Sequence, residues 1–147
     1  RRMAGPTVSF AGRVSDQRVA ELLSSARALV VTATEEFGIA AVEAQAAGRP
    51  VIALREGGVR ETLVEGVTGA FFDEPRRDSL VAAVQAFDAG SVDPLACVRN
   101  AERFGVQRFA EAMGDVVASA RHEPELHRQG RAHARPRGVP QRRGARG

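Results

Sequence analysis

The sequence predicts an α/β domain built on a parallel sheet. Three observations predict it. ALVVTA (residues 28–33) is a continuous apolar run of strand length, the pattern of a strand buried on both faces. PVIAL (50–54) repeats that pattern. Between them lies GIAAVEAQAAG (38–48), an alanine-rich helical stretch closed by Gly48, so strand and helix alternate.

The other elements extend the alternation. TVSFAG (7–12) reads as a short strand. Ser15 caps a helix whose apolar residues Val19, Leu22 and Leu23 have helical spacing. REGGVRETL (55–63) is a glycine turn and a short helix entered near Gly58. TGAFFDE (68–74) holds a strand, and RRDSLVAAVQAFDA (76–89) is an amphipathic helix. Two more helices are expected over 93–103 and 106–120. Four strands are thus expected, where such sheets usually carry five or six and bind ligands at their carboxyl ends. The expected architecture is a partial Rossmann-like parallel sheet with flanking helices, its first strands missing. It fills residues 1–120 as an incomplete domain, followed by a disordered basic tail over 121–147.

The tail prediction rests on charge and composition. All 21 basic residues among the 147 are Arg. Residues 1–120 hold 13 Arg against 16 acids, whereas residues 121–147 hold 8 Arg against Glu123 and Glu125. The tail is rich in Arg, Gly and Pro and nearly free of large apolar groups, so it cannot offset the entropy of ordering. All three histidines, His122, His127 and His133, are scattered there, which argues against a metal site. The single cysteine, Cys97, excludes a disulfide framework within the chain and reads as a small hydrophobe. No apolar run reaches the roughly 18 residues of a membrane span. RRMAGPTVSF lacks the apolar stretch of a signal peptide and an obvious start. A cytoplasmic location is expected, with peripheral association at the inner face of the membrane left open.

EEFGIAAVEA (35–44) carries the chemistry. A helix beginning near Gly38 directs its unbonded N–H groups toward the carboxyl edge of the sheet, where they favour a phosphate or another anion. Gly38 allows close approach to the backbone. With Ile39 at zero and about 100° per residue, Val42 lies near −60°, Ala46 near −20° and Glu43 near +40°. Glu43 is therefore expected on the buried face. Its side chain leans back toward the helix start, about 7.5 Å away. A carboxylate accepts hydrogen bonds only, so the paired hydroxyls of a ribose suit it. Glu35, in the loop before the helix, is placed to accept from another hydroxylated group. Phe37 packs as a wall or anchors the turn. Taken singly, each acid has a plainer role: Glu35 and Glu36 as partners of the helix dipole, worth about 0.3–1 kcal/mol, and Glu43 in an ion pair. Gly57 and Gly58 read equally as a tight turn or as shaping a neighbouring loop. Glu61 reads as structural, and Arg60 as a surface charge.

The string EEFGIAAVEAQAAGRPVIALREGGVRETLVEGVTGAFFDE closely resembles the C-terminal, donor-binding domain of family 4 retaining glycosyltransferases of the two-domain GT-B fold. The resemblance covers about residues 8–118, and 35–74 carries most of its specificity. It implies a hexosyl transferase that moves a sugar from a nucleotide-sugar donor to an acceptor with retention. By resemblance, Glu35 contacts the transferred sugar and is the catalytic candidate. Glu43 binds the ribose hydroxyls. Phe37, Gly38 and Ile39 line the sugar and diphosphate, and Gly12, Arg13 and Val14 match the loop near the base. No metal and no cofactor are implied. The departing diphosphate is stabilised electrostatically, with no protein nucleophile. The wording is most like the mannosyltransferase branch, with GDP-mannose as the implied donor. The acceptor would be a glycan or lipid-linked sugar, bound by the N-terminal domain.

The sequence also departs from that pattern. The acceptor domain has no counterpart, nor do the Arg and Lys that grip the donor phosphates just before residue 8; Arg1 and Arg2 do not match them in spacing. Thr32 stands where relatives often have Pro, and Ala41 is similarly plain. The chain is therefore expected to be inactive alone. A catalytically dead nucleotide-sugar binding or interaction domain is the alternative. Nucleic-acid binding through the tail is disfavoured, because the tail offers no aromatic for base stacking.

Overall fold

A computed structural model of the chain describes residues 4–122. They divide into two compact units, one ending at Gly105 and one beginning at Val106.

The first unit is built on a three-stranded parallel sheet in the order β1-β2-β3. The strands are β1 (Leu29–Val31), β2 (Val51–Leu54) and β3 (Gly69–Phe72). Leu29 pairs with Val51 and Val51 with Gly69, so all three carboxyl ends open onto the same edge. The central strand is buried throughout. Its side chains alternate between two cores, as a strand's two-residue period requires. Val51 and Ala53 join Val31, Ala41, Ala44, Val59 and Leu63 on one face. Ile52 and Leu54 join Phe72 on the other, with Leu80, Ala83 and Phe87 packed against them.

The helices follow their local signals. The Ser15 hydroxyl accepts from the Arg18 N–H at 3.3 Å and opens α1 (Asp16–Ser25). Gly38 precedes α2 (Ile39–Ala46), and Gly58 precedes the single turn of α3 (Val59–Thr62). α4 (Arg77–Ala86) supplies Leu80 and Ala83 to the second core. A 3-10 turn at Ala89–Ser91 leads to α5 (Pro94–Glu102), where Asp93 Oδ1 accepts from the Leu95 N–H at 2.9 Å. The second unit contains α6 (Val106–His122), whose Val106, Phe109, Met113 and Val116 share one stripe.

Two expectations change. TVSFAG takes no place in the sheet, so among the described residues the strand count is three rather than four. Val8 and Phe10 are 51% and 54% exposed, so the apolar side chains of the segment are not packed into the sheet's cores. The buried face of α2 is also the opposite of the one expected. Ala41, Ala44 and Gln45 are buried, while Ile39 is 64% exposed and Glu43 is exposed. On the same angular scale the buried residues centre about 180° from Ile39. The reason is steric: small residues face α5, and a Cβ on Gly48 would lie 3.3 Å from the Pro94 Cβ. Close helix approach selects alanine and glycine over isoleucine on that side. Finally, the predicted tail lies almost wholly outside the described residues.

A buried hydrogen-bond cluster ties α2, α3 and α5 together. Gln45 Nε2 donates to the carbonyls of Ala41 at 3.1 Å and Thr62 at 2.9 Å. Asn100 Nδ2 donates to Gln45 Oε1 at 2.7 Å and to the Thr62 carbonyl at 2.9 Å. Arg103 then donates to Asn100 Oδ1 at 2.8 Å. Asn100→Ala would leave a buried Gln45 oxygen without its donor, which typically costs about 1–3 kcal/mol. We expect a loss of that size in urea unfolding, with Asn100→Asp at least as destabilising, because a carboxylate cannot donate to Gln45 Oε1 or the Thr62 carbonyl.

Candidate functional site

The carboxyl edge of the sheet carries the loops 32–38 and 55–58, and their backbones lie against each other. Glu35 bridges Gly57 in parallel, and the Gly58 N–H donates to the Glu35 carbonyl at 2.8 Å. A Cβ on Gly57 would run into the Glu35 carbonyl oxygen, and one on Gly58 into Glu36 and Phe37 backbone atoms. Both glycines are thus required by close approach, and they shape the loop that bears Glu35. Arg60 and Glu61 are exposed on α3.

Gly38 sits at the start of α2 with φ +81°, a left-handed conformation that glycine adopts at no steric cost. No side chain caps this helix start, so its first N–H groups remain available. Glu35 Oε2 lies 3.9 Å from where a Cβ on Gly38 would be, which brings the carboxylate to the helix start. Phe37 is 45% exposed, and its ring meets that of Phe104 edge-on with centroids 5.7 Å apart. It anchors the loop against the end of α5 while keeping one side open. Ile39 presents an exposed apolar surface beside the same helix start.

Glu43 belongs to a second feature. It lines a cleft of about 480 Å³ between α1 and α2, together with Asp16, Val19, Leu23 and Ala46. Gly12, Arg13 and Val14 immediately precede α1, and Gly12 turns with φ +69°. The structure therefore brings Glu35, Phe37, Gly38 and Ile39 together at the helix start. It sets Glu43 one turn along the same helix in a cleft whose other wall begins just after Val14.

Sequence reasoning missed Arg55. It follows β2 at the carboxyl edge, donates to Glu65 through two nitrogens at 2.9 and 2.7 Å, and donates to Asp73 at 2.5 Å. Its guanidinium also lies 4.4 Å from the Phe71 ring centroid. An arginine directly after a buried parallel strand, with acids following the next strand, was the available signal. Hydrogen bonding to Glu65 and Asp73 raises the Arg55 pKa, and hydrogen bonding to Arg55 holds the Glu65 carboxyl below its ordinary value. Burial pushes the Cys97 thiol up, in keeping with a packing role.

Comparison with known proteins is decisive at this point. Residues 2–104 match the model of glycosyl transferases group 1. The chain belongs to the group 1 glycosyltransferase family. It is 32% identical over 127 residues to the D-inositol 3-phosphate glycosyltransferase of Streptomyces scabiei (strain 87.22), covering 82% of this chain and 28% of that protein. The D-inositol 3-phosphate glycosyltransferase of Xylanimonas cellulosilytica is 36% identical over 112 residues, covering 73% of this chain and 27% of its own length. The chain thus spans little more than a quarter of these relatives. Among solved structures, it resembles sucrose-phosphate synthase from Thermosynechococcus elongatus with a TM-score of 0.68 and 28% identity, over 76% of this chain and 30% of that one. Anabaena HepE, solved in complex with UDP and glucose, gives a TM-score of 0.60 at 25% identity, over 76% of this chain and 32% of its own. The α/β sheet and its flanking helices are those of GT-B glycosyltransferases. Among the described residues, no helix is long and apolar enough to cross a membrane.

The Arg55 cluster yields a pH prediction. The folded-state pKa of Glu65 is depressed, so its contribution to stability is present above the unfolded value of about 4.3 and is lost as pH falls through the folded value. Glu65→Gln should lower the urea midpoint near neutral pH. The gap from the unsubstituted chain should shrink below about pH 4. A gap that stays constant into acid would contradict this role for the pair.

Proposed function

We propose that this chain is the donor-binding part of a family 4 retaining glycosyltransferase, holding a nucleotide sugar at the start of α2. The observation that carries the reading is the Glu35 carboxylate beside Gly38 at an uncapped helix start. The N–H groups there suit the diphosphate. Glu35 accepts hydrogen bonds from the transferred sugar, and the exposed Phe37 and Ile39 border it. Glu43, in the α1–α2 cleft, accepts from the ribose hydroxyls, and Gly12, Arg13 and Val14 border the base. The correction to α2 favours this role: an exposed carboxylate on a cleft wall is accessible to a ligand, and a buried one is not.

The donor is a hexosyl nucleotide, with GDP-mannose first in the mannosyltransferase branch and UDP-glucose the main competitor. The acceptor, a glycan or lipid-linked sugar, binds to a second domain, and the setting is cytoplasmic, peripheral to the membrane. The incomplete nucleotide-binding domain extends over residues 1–120. Transfer requires the second cleft wall and a cationic grip on the phosphates, so the 147-residue chain binds donor weakly and does not turn it over.

Calorimetric titration with GDP, UDP, GDP-mannose and UDP-glucose tests the reading. We expect binding by the unsubstituted chain and a loss of about tenfold or more in nucleotide affinity for Glu43→Ala, the weight of two hydrogen bonds to a charged acceptor. Undiminished affinity in Glu43→Ala would remove Glu43 from the site. Robust sugar transfer by the chain alone would overturn the claim of inactivity.

A further inference from the structure

We infer that Thr34 and Glu56 are positioning residues that lock the Glu35 loop to the glycine turn and so set where the Glu35 carboxylate meets a sugar. The inference rests on the donor-site reading above. Thr34 Oγ1 donates to Glu56 Oε2 at 2.7 Å, across 22 positions of sequence. Each residue directly precedes a partner in the Glu35–Gly57 bridge, so the side-chain bond closes a short ring around that contact. Beyond the bridge, the Gly58 N–H holds the Glu35 carbonyl at 2.8 Å. The turn is itself moored to β3. The Arg55 N–H donates to the Phe72 carbonyl at 2.9 Å, and the Arg55 side chain grips Glu65 and Asp73.

Among the described residues, no hydrogen bond or ion pair holds the Glu35 carboxylate itself. Its place beside Gly38 is inherited from the backbone of residues 34–37, and that backbone is held by the turn. Among the described residues, the Thr34–Glu56 bond is the one side-chain hydrogen bond between the two loops, and it is exposed to water. Losing it loosens the loop without removing any group that touches the proposed donor. The expected signature is selective: contact with the sugar weakens, while contact with the nucleotide, made by Glu43 and the helix start, persists.

The test uses the full 147-residue chain with Thr34→Val, Thr34→Ser, Glu56→Ala and Glu35→Gln. Each is titrated with GDP-mannose, UDP-glucose, GDP and UDP. Thr34→Val and Glu56→Ala should each lower the preference for the sugar nucleotide over its bare nucleotide by about three- to tenfold, leaving bare-nucleotide affinity within about twofold. Thr34→Ser should restore the preference. In the Glu35→Gln background neither substitution should lower it further. Equal losses for nucleotide and sugar nucleotide, or no change at all, overturn the inference. Amide hydrogen exchange on the unliganded chain supplies a second readout. Exchange at Gly58 should rise about tenfold in Glu56→Ala, with Leu63, bonded to Val59 within α3, unchanged. Unaltered Gly58 exchange overturns the coupling of the two loops. Failure of the unsubstituted chain to bind any of the four probes instead overturns the donor-site reading, and the exchange measurement still decides the coupling.

Discussion

The orientation of α2 depends on one buried amide. Gln45 sits with no solvent exposure on the face opposite Ile39, and both ends of its side chain are engaged. Its nitrogen reaches the last residue of α3 and its oxygen receives Asn100 from α5. Rotating α2 by even one residue step, about 100°, would separate these groups inside the protein, where an unmet amide costs about 1–3 kcal/mol. Apolar packing alone would not fix the rotation so tightly, because the buried stripe of α2 is alanine and one alanine substitutes sterically for another. The polar cluster supplies the specificity that the small residues cannot. It thereby decides that Glu43 and Ile39 face outward.

A second constraint is steric and acts on the loops. Gly57 and Gly58 let two backbones touch where any Cβ would intrude. That contact brings the Glu35 loop within reach of a turn anchored on β3. Sheet, turn, loop and helix start then form a continuous chain of backbone bonds. The carboxylate of Glu35 is placed at its end without being held directly, which leaves its oxygens available to a ligand. A residue whose carboxylate was itself bonded into the protein would make a poorer acceptor for substrate hydroxyls.

Much of this was readable from the sequence where a local signal had a local cause. The apolar runs at 28–33 and 50–54 become β1 and β2, but burial on both faces holds only for the central β2; β1 lies at the edge of the sheet and leaves Val30 42% exposed. Ser15, Gly38 and Gly58 mark helix starts through chemistry contained within a few residues. The reading failed where the cause lay elsewhere in the chain. TVSFAG has strand composition, but a strand exists only with a ladder partner, and the sheet of β1, β2 and β3 gives it none. The buried face of α2 was expected from the apolar residues Ile39, Val42 and Ala46, yet it is selected by α5, more than forty residues away. Gln45 carries no local signal of burial; its partner is Asn100. Arg55 and the Thr34–Glu56 pair were invisible for the same reason: each links loops that only the parallel register of β1, β2 and β3 brings together.

The charge distribution at the carboxyl edge bears on how strongly a donor is held. Arg55 stands at that edge, but its guanidinium is already divided between Glu65 and Asp73 and stacked on Phe71. Recruiting it to a phosphate would break two charge-assisted contacts. Those carboxylates would then lie near a second anion, so the exchange gains little. In the proposed site, the N–H groups and dipole of α2 would supply about 0.3–1 kcal/mol of attraction for a diphosphate at an exposed helix end. In the proposed site, Glu35 and Glu36 would oppose it with like charge toward the phosphates, while Glu35 would favour a neutral sugar beyond them. Such an edge would discriminate between hydroxyl patterns more than it would bind charge.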